Sequence, residues 1–333
     1  LDSWAVNGAQ SSARIARLQL QSATRSGNGI VESGDMEVRE LDVPGPAVRV
    51  VSGAAVALGR EAVFQGSYYA FNVGDAEVPI TQTGSGGGRS DLVIMRVEDP
   101  NIDGTSWAHD PATDPVYYFR VLEGVDPATT EVPAGTTGVA LARIDIPAST
   151  ATITQDMITD LRQMLNPRSE TVVRVQRGVE PIELLGNVTT YFENAPNLVW
   201  PQITIPTWAT QVQMIGHWEN MFQSSEDLAA GSGSTDARGQ ARLALGYGTG
   251  GGPTDIQTSP IAYNFNLNVN NGERRSFGLA DQQLIPSEMR GQPCNLRMQV
   301  QGTEGVRGRL RCDAWSNYYV QLVFLELAVA DVD

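Results

Sequence analysis

The sequence predicts a mainly β protein: a β-rich N-terminal domain of α+β character, followed by a C-terminal antiparallel β-sandwich of jelly-roll-like type. Three observations carry this. Apolar and polar residues alternate through the second half of the chain, as they must when strand side chains point to opposite faces in turn. The first half contains strand-length runs that are apolar throughout, the pattern of central strands covered on both faces. Between the two, an apolar stripe at helical spacing ends at Asn166-Pro167, where proline cannot continue a hydrogen-bond ladder.

Taken in order, Ser11–Ala23 is ambiguous between helix and strand, with helix favoured. Strands are expected at Ala47–Val51, Ser67–Val73, Asp91–Glu98, Val116–Leu122 and Val139–Ile146, the third and fifth central. The segment Thr83–Arg89 has almost no side chains to pack and reads as a flexible loop. Its glycines lack the following helix that a phosphate cradle needs. Thr154–Leu165 places apolar residues at 157, 158, 161, 164 and 165, which predicts a helix capped by Thr154, with Asp156 at its positive end. The division is therefore into residues 1–166 and 167–333. Each part is long enough for its own core.

Beyond the break, Val212, Met214, Trp218 and Phe222 form one inward row, and Ala241, Leu243, Leu245 and Tyr247 another. Ile261 to Val269 sets apolar residues against Ala262, Asn264, Asn266, Asn268 and Asn270 on the opposite face. Leu296, Met298 and Val300 continue the alternation, as do Leu310, Cys312 and Ala314. Tyr318–Ala328 is apolar on both faces, which marks a central strand or one covered by a neighbouring subunit. Asn295–Asp313 reads as a hairpin turning near Gly302–Gly305, with Cys294 and Cys312 facing inward almost opposite each other. Two buried free thiols are the favoured reading and a cross-strand disulfide the alternative.

The formal charge is −15 and all 23 basic residues are arginine. Such a chain repels phosphate backbones, so nucleic acid is not an expected partner. No stretch approaches the roughly 20 apolar residues of a membrane span, and neither a span nor a secretion leader is expected.

Residues able to support catalysis are sparse. The two histidines, His109 and His217, lie far apart, and no nucleophile motif accompanies either. A paired-carboxylate glycan hydrolase remains an alternative, because carboxylates are abundant and their spacing is a property of the fold. No enzyme activity and no cofactor are expected. Asp99, Asn101 and Asp103 with Gly104 match the opening of a calcium loop, and Asp110 falls at its twelfth position. A surface loop rich in Asp and Pro is the reading preferred to a calcium site.

Aromatic residues concentrate after residue 200. Sugar rings require an apolar platform with hydrogen-bonding edges. Trp315 is out of phase with Leu310 and Cys312 and so is expected at the surface, while Asn264 and Asn266 offer amides on a face away from the core. These three are the candidate glycan-binding residues, and core packing is the competing reading for the aromatics as a group.

Several strings taken together resemble the minor tail, baseplate or receptor-binding proteins of phages that infect actinobacteria. In the first half they are Ser33–Val38, Val43–Val48, Gln65–Tyr68, Arg89–Asp99, Val139–Ile144, Ile153–Arg162 and Asn166–Arg168. In the second they are Ile205–Ala209, Arg274–Phe277 and Gln321–Glu326. The resemblance implies a virion protein assembled in the host cytoplasm. Its N-terminal domain would attach to other tail proteins, and its sandwich would lie at the periphery, facing host cell-wall glycans. It also implies a symmetric homo-oligomer, often a trimer, and it transfers no catalytic residue. A free-standing carbohydrate-binding module is a further alternative.

Overall fold

Strands dominate the computed structural model, which describes residues 12–102, 110, 113–178, 182–184, 200–224, 237–247, 255–265, 273–303 and 309–328. Of the residues singled out from the sequence, Asp103, His109, Asn266, Asn268 and Asn270 lie outside the described residues, as does most of the turn expected after Gly302. The chain divides into two compact units, Leu1–Pro167 with Leu327–Asp333, and Arg168–Glu326.

The first unit opens with helix α1 (Ala13–Ala23), whose N-terminus is capped by the Ser12 hydroxyl accepting from the Ile15 amide. Ten short strands follow: β1 (Gly29–Ile30), β2 (Val38–Gly45), β3 (Ala47–Val50), β4 (Gly53–Leu58), β5 (Ser67–Asn72), β6 (Ala76–Pro79), β7 (Arg89–Val97), β8 (Tyr117–Val125), β9 (Gly138–Ile146) and β10 (Ile158–Asp160). They form three antiparallel sheets, ordered β1-β4-β5, β10-β9-β7-β8 and β2-β3-β6. All three contribute to one core, which includes Ile30, Val48, Val50, Ala57, Ala70, Met95 and Leu141. On the other face of the four-stranded sheet, Leu92, Ile94, Val132 and Ala140 form a second cluster. β7 and β9 are thus buried on both faces, as their continuous apolar runs require.

The helix expected over Thr154–Leu165 does not form. A single 3-10 turn (Gln155–Met157) leads into β10, which pairs with β9. Three forces favour the extended form. The open edge of β9 offers ladder hydrogen bonds. Thr154, Ile158 and Thr159 are β-branched. Asp160 accepts from the Arg162 amide and also binds its guanidinium, a local bond that competes with helix. The apolar spacing that suggests a helix is met instead by Ile153, buried, and by Met157, Ile158 and Met164, which pack on the same core.

The second unit comprises β11 (Ser169–Arg177), β12 (Ile182–Leu184), β13 (Ile203–Thr204), β14 (Gln211–Ser224), β15 (Ala237–Tyr247), β16 (Ile256–Gln257), β17 (Ile261–Phe265), β18 (Glu273–Leu284), β19 (Pro293–Gly302), β20 (Arg309–Cys312) and β21 (Asn317–Leu325). One long strand organises each sheet. β14 pairs with β18 on one side and with β21 and then β20 on the other. β15 pairs with β19 on one side and with β16 and β17 on the other. β11 and β12 continue outward from β21 and β20, and β13 from β19. Counting the collinear pairs β11/β12, β16/β17 and β20/β21 as single strands leaves eight, ordered 1-8-3-6 in one sheet and 2-7-4-5 in the other. This is jelly-roll order. Trp218, Met214, Tyr318, Leu322 and Phe324 from the first sheet meet Leu243, Leu245, Met298 and Val300 from the second in one core. Beside it Phe277 stacks on Trp218 (5.1 Å) and Tyr263 (5.3 Å).

Three details depart from the alternation read in the sequence. β19 and β20 do not form a hairpin: they belong to different sheets, because jelly-roll connectivity carries the chain across the core between them. A bulge after Trp218, with Asn220 in the left-handed region (φ +57°), shifts the register, so Met221 rather than Phe222 is fully buried. Ala314 leaves the inward row and sits exposed in the turn joining β20 to β21. β21 itself is central, between β11 and β14, with alternate residues facing the core.

Candidate functional site

The turn Asp313–Ser316 carries the exposed tryptophan. Trp315 is 65% exposed, and the surrounding bonds fix where it stands. The Asp313 carboxylate accepts from the Trp315 amide (2.9 Å), and the Ser316 hydroxyl accepts from the Asp313 amide (3.1 Å) while donating to the Asn220 carbonyl (3.1 Å). Arg274 binds Asp313 through both terminal nitrogens (3.1 and 2.7 Å) and reaches the same Asn220 carbonyl (2.7 Å). Asn220 is available there because the β14 bulge turns its carbonyl towards the turn. The Arg274 guanidinium beside it holds the Asp313 carboxyl below the usual carboxylate range, against the opposing effect of partial burial.

On the other side of the turn, Arg177 at the end of β11 donates Nε to the Ala314 carbonyl (2.5 Å) and lies over the Trp315 ring at 5.7 Å. Gly178 follows, its amide donating to the Ser316 carbonyl (2.8 Å). A Cβ at 178 would stand 2.2 Å from the Asp313 carbonyl oxygen, so only glycine allows this close approach. Arg274 also lies over Phe222 (5.5 Å), the ring that the bulge expelled from the core. An aromatic platform thus sits among guanidinium groups on a turn tied down from both sides, a geometry suited to a sugar ring with hydrogen-bonding edges.

The other predicted residues are not gathered here. Asn264 lies on β17, in the opposite sheet and on its outer face, where its Oδ1 accepts from Arg238 (3.0 Å). Asp99 is almost fully buried and accepts from Tyr68 (2.8 Å) and from both nitrogens of Asn101, with Arg17 at 3.2 Å. The Asn101 side chain thus meets Asp99 through its Nδ2 (3.2 Å). The Asp110 amide donates to Asp114. Among the described residues no group of three or more acidic, His or Cys side chains is placed to hold a metal.

Both cysteines are buried and free. Burial pushes the Cys294 thiol up to about 11 and Cys312 up to about 12, so neither is a thiolate near neutral pH. Cys312 contacts the Met221 sulfur at 3.8 Å. His217 is exposed on the outer face of the first sheet, its ring 5.9 Å from that of Tyr319. Gly278 lies opposite it in the ladder, where a Cβ would come within 2.5 Å of Nδ1.

Sequence reasoning finds Trp315 but misses its partners. Arg177, Asp313 and Arg274 are spread over nearly 140 positions, and only the meeting of β11, β18 and the β20–β21 turn assembles them.

No family model matches the chain, and no curated protein matches it. Among solved structures it is similar to that of the infectious bursal disease virus Gx strain, at 12% identity and a TM-score of 0.26, covering 92% of this chain and 73% of that one. It is also similar to the infectious bursal disease virus VP2 subviral particle, at 15% identity and a TM-score of 0.24, covering 91% and 75%. Scores this low carry no argument, and the jelly-roll assignment rests on strand order alone.

Proposed function

We propose that this chain is a structural, non-enzymatic component of a bacteriophage tail tip or baseplate, anchored through its first unit and contacting host-surface glycans through its jelly roll. The reading rests on the resemblance to minor tail proteins of actinobacteriophages. The observation that carries it forward is what the resembling strings do in the fold. Arg89–Asp99 and Val139–Ile144 are the doubly buried strands β7 and β9. Gln65–Tyr68 leads from a hydrogen-bonded turn into β5, and Asn166–Arg168 spans the division between the units. They are scaffold, as a shared attachment domain requires. The jelly roll adds the exposed Trp315 platform, and jelly rolls recur in viral and lectin proteins, although a fold does not by itself specify function. His217, set between Tyr319 and Gly278 on an open sheet face, has the surroundings of a surface residue rather than of a general base.

The test is location. The chain is expected in purified phage particles as a symmetric homo-oligomer such as a trimer, with residues 1–166 touching another tail protein in a particle reconstruction. A reconstruction in which that segment touches no other tail protein sinks the anchoring role.

A further inference from the structure

Within the glycan-contacting role just proposed, we infer that the Trp315 turn is a subsite for an acidic sugar, a ring bearing a carboxylate. Its charge is the reason. The chain is formally −15, and along its strands arginines recur two residues from a carboxylate with which they pair, as Arg89 with Asp91, Arg143 with Asp145 and Arg275 with Glu273. At this turn that rule breaks. Arg274 is paired with Asp313, but Arg177 has no carboxylate within ion-pair distance among the described residues. Its contacts there are the Ala314 carbonyl and the Trp315 ring. Arg311, half-buried on β20, has the same lack, and its Nε is buried without a hydrogen-bond partner. Arg311 is close enough to help hold the Asp313 carboxyl low. Two guanidinium groups, those of Arg274 and Arg311, therefore act on the Asp313 carboxylate, and Arg177 lies on the other side of the turn. Glu183 holds the ladder position opposite Arg311. A positive surface on an acidic protein attracts an anion.

The arrangement also fits one class of anion better than others. Trp315 offers a flat apolar face, which a pyranose ring covers and an open-chain polyol does not. With Nε held by the Ala314 carbonyl, Arg177 keeps both terminal nitrogens for a ligand beside the ring. A guanidinium fork matches a planar carboxylate with two parallel hydrogen bonds. The turn is already tied down by Asp313, Ser316 and Arg274, so little ordering cost accompanies binding.

The experiment uses the full chain and three probes in calorimetry: an oligoglucuronate, a neutral oligoglucose of equal length and a poly(glycerol phosphate). Oligoglucuronate is expected to bind, to weaken as salt rises, and to bind at least about tenfold tighter than oligoglucose. Arg177→Met and Trp315→Ala are each expected to reduce that binding about tenfold or more, with Trp315→Phe retaining most of it. Equal thermal melts of the variants would show that they fold. Equal binding of oligoglucose, tighter binding of poly(glycerol phosphate), or oligoglucuronate binding indifferent to Arg177→Met would each overturn the acidic-sugar subsite. If no probe binds while the chain is still located in particles, the subsite fails and the tail role survives.

Discussion

Phe64 holds a left-handed backbone (φ +56°), costly for a bulky residue, yet its side chain is 68% exposed and Val63 beside it 83%. The buried Gln65 side chain maintains the turn by accepting from the amides of Glu61 (2.9 Å) and Ala62 (3.2 Å), while Glu61 binds Arg96 at 2.6 Å. Because little burial is lost and the strain is relieved, Phe64→Gly is expected to leave stability unchanged or raise it by up to about 1 kcal/mol, read as a higher Tm. At the Trp315 turn the expected sign is opposite. Gly178→Ala forces a Cβ against the Asp313 carbonyl and should lower Tm by several degrees. Asp313→Asn is expected to cost about 1 kcal/mol at neutral pH. Since the folded-state pKa of Asp313 is depressed, its contribution is present above the ordinary carboxylate range and is lost as pH falls through the lower folded value. Melts of wild type and Asp313→Asn should therefore converge in acid. A gap that stays constant down to about pH 2 would show that the carboxylate charge is not what grips the turn.

Along the strands, arginines repeatedly pair with a carboxylate two residues away: Arg39 with Glu37, Arg89 with Asp91, Arg143 with Asp145, Arg162 with Asp160, and Arg275 with Glu273. Residues i and i+2 of a strand share a face, which gives these pairs a geometric cause. The pattern is present in the sequence, but counting charges without phasing them leaves it hidden. Asp91 is the test case. Fully buried in β7, it accepts from Arg89 (2.8 Å) and from the Gly124 amide (3.0 Å). Asp91→Ala is expected to destabilise the chain by about 2–3 kcal/mol, less than for a wholly buried pair because Arg89 is partly solvated. Denaturant titration would measure it. Period alone misjudges two elements. The 154–165 stripe fits a helix and an extended edge segment equally, and the open edge of β9 selects the second. On β14 an inserted bulge is invisible to alternation, which gives Phe222 the place that Met221 takes.

Each of the two units carries its own core, so calorimetry should resolve two unfolding transitions. Trp218→Ala, which empties the centre of the jelly-roll core, is expected to lower one of them by about 3–5 kcal/mol and leave the other in place. A single transition shifted as a whole would refute independent cores. The sequence by itself determined the β class, the central strands β7 and β9, and the inward rows of the sandwich apart from Phe222 and Ala314, while for β21 it left a central strand and one covered by a neighbouring subunit both open. It also determined that Trp315 faces outward and that Cys294 and Cys312 face inward, because burial imposes a period that a single chain records. Only the tertiary structure decided that the two cysteines stand in opposite sheets. It alone brought Arg177, Arg274 and Asp313 around Trp315 and kept Asn264 apart from them. Those outcomes depend on which strands become neighbours, and pairing over nearly 140 residues leaves no period in the sequence.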